Sequence, residues 1–423
     1  MKRVLFLTDF YYPNATSIGV CVDRIVRELQ KKECEVHVVC FGEENKIDVT
    51  QVDGIRVHFV KKRFWDRCSD YKNMNRKGSK IIGTIGVLSI RIAQITHVFS
   101  YPYISRIITK RYKKLSERVL EKYQCDTVIS SYAPMEASMA GFSIKKKKPS
   151  VYWIMYILDT FTNRGDSTIL NAKQNDQAGW KWEQKFFEKA DLITIMKCHE
   201  RHHQQDRYKV FQHKMFFSDI PLLDSDYKYC VKKKSSCNDK KVVFAYTGRI
   251  SEKFYSPMYW IRILEDLHKQ EINYVMHFCG WADCEDELKK EEIVTEGKIK
   301  YHGLLSQTEA KKIREDADIL VSFGAVNSEM IHSKIFEYMS LRKKIIHIQR
   351  GGLDSSVPYL ERYPMALILK EFEDYQENLS KLKLFIQMPL QNYKWEDIFM
   401  QYKENMPAYT CELFERFEGN SYE

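Results

Sequence analysis

The chain has 423 residues, of which 44% are hydrophobic and 29% charged, with 67 Lys and Arg against 57 Asp and Glu for a formal net charge of +10. This is the composition of a soluble globular protein, and the length suits two or three domains at ~100–200 residues each. No run approaches the ~20 uninterrupted apolar residues of a spanning helix, and eleven scattered cysteines with no CxxC pair point to reduced thiols in a cytoplasmic protein.

The first apolar run, VLFL (4–7), is too short for a signal-peptide core and reads as a buried strand. The turn DFYYPNATSIG (9–19) follows, with Ser17 and Gly19 just before an amphipathic helix marked by Ile25, Val26 and Leu29. Small residues at a helix start let backbone N–H groups approach an anion; the stretch is not a GxGxxG, so nicotinamide binding is not indicated. Further strands are expected at VHVVC (36–40) and IRVHFV (55–60).

Residues 61–118 break the pattern. They are basic, with interleaved aromatics and amphipathic apolar runs. The segment is too polar to span a bilayer, but its charge suits an anionic membrane surface; the alternative is long helices packed on the first domain. Strands resume at TVIS (127–130), VYWIM (151–155) and LITI (192–195). CHERHH (198–203) carries three histidines, but no second ligand cluster stands at zinc spacing, so a solvated helix and no metal are expected.

The polar stretch at 227–241 lacks apolar periodicity and reads as a domain join. A second series of strands follows: VVFAY (242–246), YVMHFC (274–279), IKYH (299–302), ILVSF (319–323), IIHI (345–348) and ALIL (366–369). Two sets of about six strands alternating with helices indicate two doubly wound α/β domains. The boundaries expected are 1–225, 226–395 and a C-terminal helical segment, 396–423, packing back on the first domain. Ligands of such sheets lie beyond the carboxyl ends of the strands, here in an interdomain cleft.

Two motifs carry chemistry. In YTGRISEK (246–253), Gly248 permits a turn at a strand end, and Arg249 and Lys253 supply two cations suited to a diphosphate. In SEMIHSKIFEYM (328–339), Ser333 is placed to cap a helix whose buried face holds Ile335, Phe336 and Met339. Glu337 is then a carboxylate able to hold the hydroxyls of a ribose, with Lys334 beside it for a phosphate and Glu329 upstream. Together these groups fit a nucleotide-sugar.

With these motifs the sequence resembles the family-four retaining glycosyltransferases over most of its length. The resemblance rests on FLTDFYYPNATSIGVCVDRIVRELQKKECEVHVVC, WEQKFFEKADLITIM, YHGLLSQTEAKKIREDADILVSFG and an E-x7-E signature from Glu329 to Glu337. It implies the GT-B fold of two facing Rossmann-like domains, with the first on the acceptor side and the second binding the donor. It also implies roles. Glu337 would bind the nucleotide ribose, with Ser333, Lys334, Gly248, Ser17 and Gly19 as further donor-site residues. Glu329, Arg249 and Lys253 would act in catalysis, and Asp159 would serve the acceptor side. No cofactor or metal is implied.

The departures from the family are Thr16 and Ser17 where paired glycines are usual, a one-residue-tighter spacing from Arg249 to Lys253, and His332 where a subgroup has proline. The expectation is a retaining hexosyltransferase moving a sugar from a nucleotide-diphosphate-sugar to a glycan or lipid-linked acceptor in cell-surface polysaccharide synthesis. It would be cytoplasmic and peripheral at the inner membrane face, with no nucleic-acid partner. The alternatives are a nucleotide-sugar epimerase of similar fold and a non-catalytic basic protein binding membrane or nucleic acid.

Overall fold

The computed structural model describes residues 2–13, 15–42, 49–61, 84–85, 87–88, 106–160, 162, 171–224, 241–326, 331–389 and 393–415. Most of the basic 61–118 segment, residues 227–240 of the join and Glu329 lie outside these residues. The chain divides into two compact units, Met1–Pro221 with Pro407–Glu423, and Leu222–Met406.

The first unit is built on eight strands: β1 (Arg3–Leu7), β2 (Glu35–Phe41), β3 (Val49–Val52), β4 (Ile55–Val60), β5 (Thr127–Ser131), β6 (Tyr152–Ile157), β7 (Leu192–Met196) and β8 (Met215–Ser218). Their order is β3-β4-β2-β1-β5-β6-β7-β8, parallel except where β3 pairs antiparallel with β4. The central strands β5 and β7 are buried at every residue because both sheet faces are covered.

The helices are α1 (Ser17–Lys31), α2 (Arg106–Tyr123), α3 (Met135–Lys147), α4 (Ala172–Lys189) and the short α5 (Glu200–His203). In α1 the buried Val22, Ile25, Val26 and Leu29 form one stripe at helical spacing. Thr16, not Ser17, is its N-cap, the hydroxyl accepting from the Gly19 N–H at 3.1 Å; Ser17 and Gly19 therefore lie in the first helical turn rather than before it.

The second unit contains β9 (Val242–Thr247), α6 (Met258–Lys269), β10 (Tyr274–Cys279), α7 (Glu285–Val294), β11 (Ile299–Tyr301), α8 (Gln307–Asp316), β12 (Ile319–Phe323), α9 (Lys334–Ser340), β13 (Lys344–Gln349), α10 (Val357–Leu360), β14 (Ala366–Lys370), α11 (Tyr375–Gln387) and α12 (Trp395–Met400). The six strands are ordered β11-β10-β9-β12-β13-β14, which is the 3-2-1-4-5-6 order of a Rossmann sheet, with its switch point between β9 and β12. The final helix, α13 (Pro407–Glu415), belongs to the first unit. There Glu415 pairs with Lys32 at 3.0 Å, and the Phe414 ring meets Tyr156 edge-on at 6.0 Å.

Two expectations are corrected. The first sheet has eight strands rather than about six, because β3 and β8 are four-residue elements too short for a periodicity signal. The CHERHH stretch is not a solvated helix: His203 is fully buried, and His202 Nε2 lies 2.7 Å from Thr162 Oγ1 and 3.0 Å from Tyr208 Oη. Burial pushes both imidazoles down to about 4. Among the described residues, no group of His, Cys, Asp or Glu is arranged to hold a metal ion, and no helix is long and apolar enough to cross a membrane.

Candidate functional site

A cavity of about 520 Å³ opens in the second unit, walled by residues at the carboxyl ends of β9 and β10, the turn after β11, α8 and the first residue of α9. This is where a doubly wound sheet leaves room, since the helices on either side of the switch point diverge.

Two glycines shape the floor. Gly280 follows β10 with φ +139, and a Cβ there would lie 1.8 Å from the Gly248 carbonyl oxygen. Hydrogen bonds from Gly248 N to Cys279 O (2.9 Å) and from Gly280 N to Gly303 O (2.8 Å) hold the turns in this close approach. The next residues are the exposed Arg249 and Trp281, the guanidinium standing 5.0 Å from the centroid of the indole ring. That distance suits a cation–π contact.

The opposite wall comes from α8. Its start is set by a capping box in which Ser306 Oγ accepts from Glu309 N and Glu309 Oε2 accepts from Ser306 N. This register places Gln307, Ala310 and Arg314 on the cavity. Arg314 is buried; its Nη1 donates to Thr247 Oγ1 at 3.2 Å and its Nη2 lies 3.6 Å from Glu337 Oε2. The Glu337 carboxylate also accepts two bonds from Lys334 Nζ, at 3.0 and 3.2 Å. Next to Glu337, the buried Tyr338 hydroxyl accepts from Thr247 N at 3.2 Å, tying α9 to the end of β9.

Arg249, Arg314 and Lys334 thus stand against one carboxylate, and the excess positive charge favours an anionic ligand. The structure brings Gly248, Arg249 and Lys334 to this cavity, with Glu337 bonded to two of its cations. Ser333 occupies the N-cap position of α9, but its hydroxyl makes no capping bond. Lys253 is exposed and is not on the cavity wall; its Nζ lies 5.3 Å from the Phe254 ring centroid.

Arg314 and Trp281 escaped the sequence reading. No local signal marks Arg314, which stands among charged residues; only packing puts it on the cavity wall with Gln307 and Ala310. Trp281, an aromatic two residues past the end of β10, is a weak cue at most.

The remaining candidates lie in the first unit. Ser17 is the exposed first residue of α1, and Asp159 is exposed just past β6. A Cβ on Gly19 would lie 2.1 Å from the Phe10 carbonyl oxygen, so a close backbone approach requires glycine there. The same loop holds Asp9, whose Oδ2 accepts from Thr16 Oγ1 at 2.5 Å; burial pushes its carboxyl up to about 6 despite that bond.

A carboxyl whose folded pKa is raised binds its proton more tightly in the native state. Its contribution is therefore most favourable below the unfolded value and is lost as pH rises from about 4 to about 6. Asp9→Asn should accordingly be more stable than the wild type near neutrality by about 3 kcal/mol, with the gap closing below about pH 4. Urea titrations of both proteins across that range measure it; a gap independent of pH would refute the assignment.

No protein-family profile and no curated protein sequence matches the chain. Solved structures do. A glycosyltransferase from Rickettsia africae ESF-5 aligns over 99% of each chain with 11% identity and a TM-score of 0.62. An α,α-trehalose-phosphate synthase (UDP-forming) from Burkholderia xenovorans aligns over 98% of this chain and 99% of that one, with 13% identity and a TM-score of 0.58. WaaG, a glycosyltransferase involved in lipopolysaccharide biosynthesis, aligns over 97% and 95% with 11% identity and a TM-score of 0.51. At such identities the likeness shows the fold, two Rossmann-like domains of the GT-B type.

Proposed function

We propose that the chain is a retaining glycosyltransferase that moves a sugar from a nucleotide-diphosphate-sugar to a glycan or lipid-linked acceptor. The observation that carries this reading is the cavity in which Arg249, Arg314 and Lys334 stand with Glu337 beside glycine-lined strand ends. The cations suit a diphosphate. Glu337, already oriented by two of them, is able to accept hydrogen bonds from vicinal ribose hydroxyls. The exposed Trp281 face offers a surface on which a base stacks.

In the transfer step negative charge develops on the departing diphosphate, and preorganised cations lower the barrier by meeting it there. Arg249 and Lys334 are the side chains for this role. By the family resemblance Lys253 would assist them, and Glu329 would stand near the transferred sugar. Ser17 and Gly19 would complete the donor site and Asp159 the acceptor side. The chemistry requires no metal, because side-chain cations neutralise the leaving group. The solved structures of similar fold include a UDP-forming synthase and an enzyme of lipopolysaccharide biosynthesis, which supports a nucleotide-sugar donor and a role in cell-surface glycan assembly. The basic 61–118 segment would seat the enzyme on the inner membrane face.

A thermal-shift series with UDP, GDP, ADP and their sugar derivatives, without added metal, tests the reading. A ligand that binds only the folded state raises the melting temperature, by about 2.7 kcal/mol of stabilisation at a hundred times its Kd. One nucleotide should give a clear rise that is reduced or lost in Glu337→Ala. A rise undiminished in that variant would remove Glu337 from the site, and no rise with any nucleotide would overturn the function.

A further inference from the structure

The pairing of β9 with β10 does not stop at the strand ends. It runs from Val242 with Tyr274 to Thr247 with Cys279, and a parallel bridge between Ile250 and Ala282 resumes it in the same register. In that register Arg249 stands opposite Trp281, and Ser251 opposite Asp283. Ile250 N donates to Trp281 O at 2.9 Å, and Asp283 N to Ile250 O at 3.4 Å. The Arg249 carbonyl accepts from the hydroxyl of the buried Tyr246 at 2.7 Å. With the bond from Gly248 N to Cys279 O, the two turns are tied together on both sides of Arg249.

Asp283 closes this zipper. Its Oδ2 accepts from Ser251 Oγ at 2.7 Å and its Oδ1 from Glu252 N at 2.8 Å. Ser251 is buried, and its backbone exchanges two bonds with Tyr255, at 2.8 and 3.3 Å, so the carboxylate grips a fixed point. An aspartate just before α7 suggests a helix cap, but the N-cap residue there is Cys284, with no side-chain capping bond. Both Asp283 oxygens reach across to the arm that follows Arg249 instead. The bonds from Ser251 and Glu252, with a smaller part from the Arg249 charge, hold the Asp283 carboxyl below the ordinary carboxylate value. It is therefore ionised near neutrality, and its attraction for Arg249 acts in both directions.

We propose that Asp283 is a positioning residue: through its bonds to Ser251 and Glu252 it fixes the arm that carries Arg249, and so sets where that guanidinium meets the donor's diphosphate. The inference rests on the nucleotide-sugar reading above. Arg249 lines the cavity from an exposed turn, and ordering such a turn when a ligand arrives costs conformational entropy. An arm already locked to its neighbour spares that cost, so the affinity gained at the phosphates depends on the lock.

Calorimetric titration of the full chain with UDP, GDP and ADP, each beside its monophosphate, tests this. The ratio of diphosphate to monophosphate affinity reads the contact made to the second phosphate. A loss of folded protein lowers the binding stoichiometry and leaves this ratio alone, so a merely structural role would not move it. For the preferred nucleotide, Arg249→Ala should reduce the ratio about tenfold. Asp283→Ala should reduce it about fivefold and add nothing further in the Arg249→Ala background. In Asp283→Asn the amide accepts from Glu252 N and donates to the Ser251 hydroxyl, so most of the ratio should return. A ratio unchanged in Asp283→Ala, a full further loss in the Arg249→Ala background, or an Asn variant no better than Ala would each overturn this inference alone. A ratio unchanged in Arg249→Ala would remove Arg249 from the diphosphate and this inference with it. No nucleotide binding to the wild type would overturn the functional reading as well.

Discussion

Gly280→Ala is expected to destabilise the second unit by about 3–5 kcal/mol, the sum of an overpacking cost and the strain of a side chain at positive φ. The new Cβ would stand 1.8 Å from the Gly248 oxygen and 2.7 Å from its carbonyl carbon, with φ at +139. Neither backbone is free to retreat. Gly248 is bonded to Cys279, Gly280 N is bonded to Gly303, and the Gly280 carbonyl accepts from Tyr301 Oη at 3.1 Å. For a domain of this size the cost corresponds to a fall in melting temperature of about 10 °C. Gly303→Ala is the control: its φ is +64, but nothing lies within 4 Å of the added carbon, so only the backbone strain of about 1–2 kcal/mol remains. Equal effects at the two positions, read by thermal or urea unfolding, would show that the close approach to Gly248 does not matter.

Arg314→Met should reduce both stability and nucleotide affinity, and the two losses should separate in a double-mutant cycle. The wild-type guanidinium links Thr247 Oγ1 to the Glu337 carboxylate inside the protein. Without it, Lys334 still pairs with Glu337 at 3.0 Å. Leaving a buried carboxylate short of a partner costs about 3–5 kcal/mol when no other cation is near; with Lys334 at 3.0 Å the expected loss is about 1–3 kcal/mol. Removing the carboxylate charge as well, in Arg314→Met with Glu337→Gln, should restore part of that stability. Affinity for a nucleoside diphosphate should not return, because the positive charge facing the phosphates stays lower; a loss of at least tenfold is expected. Calorimetric affinity and urea midpoints for the four proteins check this. Recovery of both together would mean that Arg314 supports the fold without touching the ligand.

The contrast between Arg314 and Glu337 illustrates how much of the site was legible. Glu337 falls within a short motif, where Ser333, Ile335, Phe336 and Met339 announce a helix start and its buried face. Arg314 sits among KKIRED, five charged residues around one isoleucine, and nothing local separates it from its solvated neighbours. Lys253 shows the converse: its spacing from Arg249 suggested a pair, yet only Arg249 lies on the cavity wall.

The sequence by itself determined the architecture of alternating buried strands and amphipathic helices. Strand and helix periods are local properties, and right-handed crossovers then leave few topologies for a parallel sheet. It also placed the strand-end glycine Gly248 and the carboxylate Glu337 in motifs suited to a nucleotide. Only the tertiary structure decided which cations meet that carboxylate and why Gly280 cannot carry a side chain. Each of these depends on side chains or backbone atoms brought within hydrogen-bond or van der Waals distance from separate strands and helices, and distances of that kind are set by packing rather than by spacing along the chain.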